Sequence, residues 1–169
     1  MGYAHYTGWK YILLLLVAAA TDYYDGVLAR KMGIETATLR QADSIADTVF
    51  FLGVFAGIWL AYPNVIYGYA PGIFAVVTLE ALRYVYDLLK FKRGASYHAL
   101  SAKAFGVSLL VATIAIMGFG TAYPYLPVAL FIGVCSGLEG LCMSIVLPVW
   151  TYNVRHLGVA INLRNRDER

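Results

Sequence analysis

Four aspartates carry the chemistry this sequence offers. Asp22 and Asp25 stand three apart in Asp22-Tyr-Tyr-Asp25-Gly26-Val-Leu-Ala29-Arg30, and Asp43 and Asp47 stand four apart in Asp43-Ser-Ile-Ala-Asp47. If both segments are helical, Asp22, Asp25, Gly26 and Ala29 fall on one stripe, and Asp43 and Asp47 share a face of the next helix. Two neighbouring helices would then present four carboxylates to one spot. Like charges at helical spacing repel, and a carboxylate near hydrocarbon gives up costly hydration, so something positive must compensate. Hard divalent cations such as Mg²⁺ take oxygen ligands, and four carboxylates can hold two of them while leaving positions for substrate phosphate oxygens. Gly26 and Ala29 remove side-chain bulk from the same stripe, and Arg30 adds a cation suited to phosphate. The bland alternative is that these acids are solvated loop charges beside basic residues. That account suits one isolated acid at a span end better than four at these spacings.

The elements that must position them are membrane helices. Of 169 residues 60% are apolar and only 14% charged, where a soluble domain carries about 25% charge. Mean hydropathy is +0.66. Disorder, collagen and coiled coil are excluded by the same composition. Apolar stretches run at roughly 9 to 29, 44 to 62, 66 to 88, 104 to 120 and 125 to 147, each near the ~20 residues a spanning helix needs. The expected fold is therefore an all-α polytopic bundle of about five transmembrane helices, a single domain over 1–169 with 160–169 as a solvated tail. Arg30, Lys31 and Arg40 follow the first stretch, Lys90, Lys92, Arg93 and Lys103 follow the third, and Arg155, Arg164, Arg166 and Arg169 follow the last. The loops around Pro63 and Pro124 have no Lys or Arg. This alternation predicts an outside N-terminus, a cytoplasmic C-terminus and a site on the cytoplasmic side of the cell membrane; only Lys10 breaks it. A signal peptide over the first stretch is disfavoured, because its N-region would hold Lys10 alone. Trp9, Trp59, Trp150 and the tyrosines near span ends fit an interfacial belt.

The acidic segment resembles the signature of the CDP-alcohol phosphotransferase family, D-x2-D-G-x2-A-R-x8-G-x3-D-x3-D. Asp22, Asp25, Gly26, Ala29, Arg30, Asp43 and Asp47 stand at the matching positions. A late stretch, Glu139-Gly-Leu to Leu147-Pro-Val-Trp150, is similar to the end of some bacterial members. The resemblance implies a membrane enzyme of phospholipid biosynthesis that moves a substituted phosphate from a CDP-linked donor to an alcohol hydroxyl and releases CMP. It implies two Mg²⁺ or Mn²⁺ ions held by Asp22, Asp25, Asp43 and Asp47, with Asp47 doubling as general base. Asp22, Gly26, Ala29 and Arg30 would line the cytidine and phosphate site, joined by Lys103, which resembles the lysine of a short motif opening the fifth family span. CDP-diacylglycerol is the favoured donor, a small alcohol the acceptor, membrane lipids the surroundings and a second copy the partner; no nucleic acid is expected. Two departures stand out: Leu39 replaces the second motif glycine, and Ala102 replaces the glycine before Lys103. Family members usually have six core spans, so the chain is expected to be one helix short.

Other polar residues are less specific. Glu80, Arg83 and Asp87 are spaced so that Arg83 can pair with either acid, inside the bundle or at an acceptor site. Glu139 lies mid-span, an expensive place for an acid, with no partner legible in the sequence. His98 and Arg155 are weaker candidates, the latter for an anionic acceptor or headgroup. Cys135 and Cys142 lie seven apart in the last span and read as two buried inert thiols. Two other functions use the same residues: a noncatalytic binding protein that has lost turnover, and a divalent-cation transporter. Transport would want acids spread through the membrane depth, whereas these cluster at one end.

Overall fold

The computed structural model of the chain describes residues 8–32, 37–94, 97, 99–151 and 154–167. Between Asp22 and Asp47 it describes the side chains of Tyr24, Lys31, Ile45 and Ala46 alone. The described residues form helices and turns with no strand: α1 (Gly8–Met32), α2 (Ala37–Ala61), α3 (Pro63–Gly68), α4 (Ala70–Phe91), α5 (Leu100–Phe119), α6 (Tyr125–Val146) and α7 (Leu157–Asp167). Two of them, α5 and α6, are long and apolar enough to cross a membrane, each with mean hydropathy 1.9.

Local chemistry sets the ends. Pro71 sits in the first turn of α4, where its missing N–H costs nothing, and Lys92 ends that helix with φ 59°. Gly120 closes α5 at φ 68°, with its N–H on Ile116 and that of Thr121 on Ala115, the Schellman arrangement that satisfies orphan carbonyls. Leu147 precedes Pro148 and is extended, which stops α6.

Helix α6 is the centre. It packs on α4, α5 and α7, while α1 and α2 both pack on α5. Its contact faces are built from small residues, as close helix approach in lipid requires: Ala129, Gly133, Ser136, Gly137, Gly140 and Ser144 are all buried. A Cβ on Gly133 would lie 2.7 Å from the Phe105 ring, and one on Gly137 would lie 3.0 Å from Leu79. An apolar cluster of Ile58, Ile66, Val76, Ala112, Ile116, Leu126, Ala129 and Leu130 fills one end of the bundle. A second cluster, of Tyr97, Ala99, Met143, Leu147, Val154 and Ala160, fills the other.

Three expectations change. The stretch at 66 to 88 is not one helix: α3 ends at Gly68 and α4 starts at Ala70, because Pro71 cannot sit inside a continuous helix without breaking its ladder. The tail expected from 160 onward is helical through Asp167, with Ala160 fully buried; that small side chain lets α7 lie against α6. Cys135 and Cys142 are free but exposed, since they lie on the face of α6 turned away from its buried small residues.

Candidate active site

Helix α1 runs unbroken through Asp22, Asp25, Gly26, Ala29 and Arg30 to Met32, and α2 carries Leu39, Asp43 and Asp47 in its first three turns. Both segments are thus helical, the condition under which the aspartate spacings put acids on common faces. The side chains of Asp22, Asp25, Gly26, Ala29, Arg30, Leu39, Asp43 and Asp47 lie outside the described part of the structure.

Packing on α5 gives these stretches a level along the bundle. Gly8 lies so close to α5 that a Cβ there would meet the Gly118 carbonyl at 3.1 Å, and Ile12 crowds Gly118. The start of α1 therefore sits at the end of α5, and the two run antiparallel. Asp22 and Asp25 follow Ile12 by ten and thirteen residues, about 15 and 20 Å at ~1.5 Å per residue. Laid along α5 from Gly118, those distances come level with about Ser108 and Phe105, one to two turns short of Ser101 and Lys103. Gly57 of α2 comes 3.7 Å from Met117 of α5, measured from a Cβ built on it. Asp47 and Asp43 precede Gly57 by ten and fourteen residues, about 15 and 21 Å, toward the end at which α1 finishes.

The same end is rich in described polar groups. Lys90, Lys92, Arg93, Lys103 and Arg155 are exposed there. Lys103 occupies the first turn of α5, its N–H on the Ala99 carbonyl at 3.2 Å. Asp87 is fully buried and accepts a hydrogen bond from the Tyr97 hydroxyl at 3.2 Å; that hydroxyl also meets Ser144 Oγ at 3.1 Å. Tyr97 lies between α4 and α5, outside the expected spans. Burial, helped by the neighbouring Asp87 carboxylate, pushes its phenol up to about 12. Lys90 Nζ donates to the Ser144 and Ile145 carbonyls, both at 2.9 Å, and so caps the C-terminal end of α6. Trp150 Nε1 donates to the Gly94 carbonyl at 3.0 Å, under the Arg93 guanidinium 5.5 Å from its ring.

Of the two partners open to Arg83, the structure selects Glu80; Arg83 Nε and Asp87 Oδ2 are buried without hydrogen-bond partners among the described residues. Glu139 has a partner after all: its Oε1 accepts the Leu157 N–H at the start of α7, at 3.1 Å. His98 lies outside the described residues. Tyr97 and Ser144 were not singled out in the sequence. The signal available was Asp87 itself, an acid in an apolar helix that needs a donor, with a tyrosine ten residues on.

The compensating charge expected from the sequence for the acidic segment is a divalent cation. The donor set fits one chemically: carboxylate oxygens are the hard ligands that Mg²⁺ and Mn²⁺ prefer, and both carrier segments are helical. Among the described residues no group of three or more His, Cys, Asp or Glu forms a metal site, and the four aspartate side chains fall outside that description.

The family profile for CDP-alcohol phosphatidyltransferase matches residues 3–152, and the chain belongs to that family. Neither a curated relative nor a solved structure matches it. Family membership makes it a transferase of substituted phosphate groups acting in phospholipid synthesis, and together with the two apolar helices it marks a membrane protein.

Proposed function

We propose that this chain transfers a phosphatidyl group from CDP-diacylglycerol to the hydroxyl of a small alcohol, with release of CMP. The observation that carries the reading is the family match over residues 3–152, which takes in all four motif aspartates on α1 and α2. In the proposed step, Asp47 removes the acceptor proton and the acceptor oxygen forms a bond to the phosphorus bearing diacylglycerol. The bond from that phosphorus to the bridging oxygen breaks, and CMP leaves with the electron pair. Two divalent ions bound by Asp22, Asp25, Asp43 and Asp47 would neutralise the donor diphosphate and the leaving CMP. Gly26 and Ala29 leave room for the nucleotide, and Arg30 and Lys103 meet its phosphates.

The basic exposed end at Lys90, Lys92, Arg93 and Lys103 supports a cytoplasmic orientation for this site. Five spans in the cell membrane, an outside N-terminus and a homodimer complete the proposed arrangement. A lipid donor suits it, because the diacylglycerol tails remain in the bilayer while the diphosphate reaches the helix ends.

The test is release of CMP from CDP-diacylglycerol by the purified protein in lipid, with candidate polyols and increasing Mg²⁺. Metal-dependent release that needs an acceptor is expected. Absence of release with every CDP-linked donor and either metal would sink the proposal.

A further inference from the structure

Glu139 is an acid in a helix of mean hydropathy 1.9, a place where a charge persists only with a partner and a use. Its partner is eighteen residues on: the Leu157 N–H, first of α7, donates to Glu139 Oε1 at 3.1 Å. A carboxylate there also meets the positive end of the α7 dipole. Two residues before Leu157, the Arg155 carbonyl accepts the Leu100 N–H at 3.0 Å. That N–H opens α5, whose preceding residue, Ala99, supplies no side-chain cap. The C-terminal segment therefore does for α5 what an N-cap side chain would do. It is seated by Val154 and Ala160, both buried against Tyr97, Ala99, Met143 and Leu147, and tied upstream through Trp150 to Gly94. The turn it holds ends at Lys103.

We propose that Glu139 is a positioning residue of the transfer site: by anchoring α7 and the Arg155 carbonyl it fixes the first turn of α5, and with it Lys103, toward the phosphates of the CDP-linked donor. The inference rests on the transferase reading. Glu139 touches no reacting atom; it acts through the Leu157 and Leu100 amides.

The test compares Glu139→Leu, Glu139→Gln and Leu157→Pro in the full-length protein in lipid. Glutamine keeps an oxygen that accepts the Leu157 N–H. Proline is tolerated at the first position of a helix and removes the same donor from the other side, so the two disruptive variants check each other if one folds poorly. Amide exchange at Leu100–Lys103 should accelerate about fivefold in Glu139→Leu and Leu157→Pro, the factor carried by one net hydrogen bond. The KM for CDP-diacylglycerol should rise by a similar factor, about fivefold, with kcat held within about twofold. Glu139→Gln should stay close to the parent in both. Unchanged exchange at Leu100 would overturn the clamp, and a fall in kcat at constant KM would overturn the role at the donor. A parent protein that releases no CMP overturns the transferase reading and the donor role with it, while the exchange measurement decides the clamp separately.

Discussion

Removing one oxygen from Tyr97 isolates the energetics of the buried acid at the polar end. Tyr97 is 3% exposed and Asp87 0%. The Tyr97 hydroxyl is the donor to Asp87 Oδ1, and Asp87 Oδ2 has no partner among the described residues. Tyr97→Phe keeps the ring in its cluster with Met143 and Leu147 and strips the carboxylate of that donor. A hydrogen bond between membrane helices averages about 0.6 kcal/mol. A buried acceptor left without its donor costs about 1–3 kcal/mol, and more when charged. The second effect should govern, so the expected loss is about 2 kcal/mol, a fall in Tm of roughly 4–8 °C for a chain of this size. In an Asp87→Leu background the hydroxyl has no acid to serve and Ser144 still meets it, so Tyr97→Phe should cost about 0.6 kcal/mol there. The coupling between the two positions, the difference of those losses, should exceed about 1 kcal/mol. Thermal unfolding of the four proteins in one detergent measures it. Alkaline pH adds an independent check. The folded phenol is raised from 10.0 to about 12, so its contribution is fully present below 10 and is lost as pH rises through about 12. The parent should lose more stability across that window than Tyr97→Phe does. A coupling below about 0.5 kcal/mol, within the usual error of additivity, or identical alkaline profiles, would refute the account.

Other consequences are as definite. Asp47→Asn should abolish CMP release, because the amide can neither take the acceptor proton nor hold a cation as a carboxylate does; near-parental release would remove the base assignment. Leu39→Gly should raise donor affinity or turnover if the leucine crowds the nucleotide, and activity that appears only in that variant would show the parent to be a noncatalytic binding protein. Gly133→Ala puts a Cβ 2.7 Å from an aromatic ring that is held between helices, an overpacking cost of about 1–3 kcal/mol. Gly53→Ala meets nothing within 4 Å and should be slightly stabilising in its helix, by up to about 1 kcal/mol. Tm values that fail to separate these two glycines would contradict the α5–α6 packing.

The helices were legible because apolar length is a local property: the expected last stretch at 125 to 147 and the observed α6, Tyr125–Val146, differ by one residue. The motif was legible for the same reason, since its spacings are set within two helices that the structure shows to be continuous through them. What escaped the sequence is the wiring between helices. Asp87 reaches ten residues on to Tyr97, Glu139 eighteen on to Leu157, and Lys90 fifty-four on to Ser144. In each case the partner lies on a different helix or in a connecting segment, where spacing within one helix says nothing, and it is a hydroxyl or a main-chain group that carries no label in a sequence. The exposed cysteines escaped for a related reason. Apolar surroundings in the sequence do not distinguish a face turned to lipid from one turned to protein, and in α6 the small residues marked the protein-facing side. The charges of this chain thus divide by reach. Those that act within a turn or two stand at spacings a sequence shows, although spacing alone left Arg83 open between Glu80 and Asp87. Those that tie one helix end to another, Lys90 and Glu139 among them, share the end to which α1 and α2 bring the motif stretches. Small-residue contacts along α6 set how closely its neighbours approach, and the long-range polar ties at one end, Lys90 to the end of α6 and Glu139 to the start of α7, add directional bonds that fix helix ends relative to one another there.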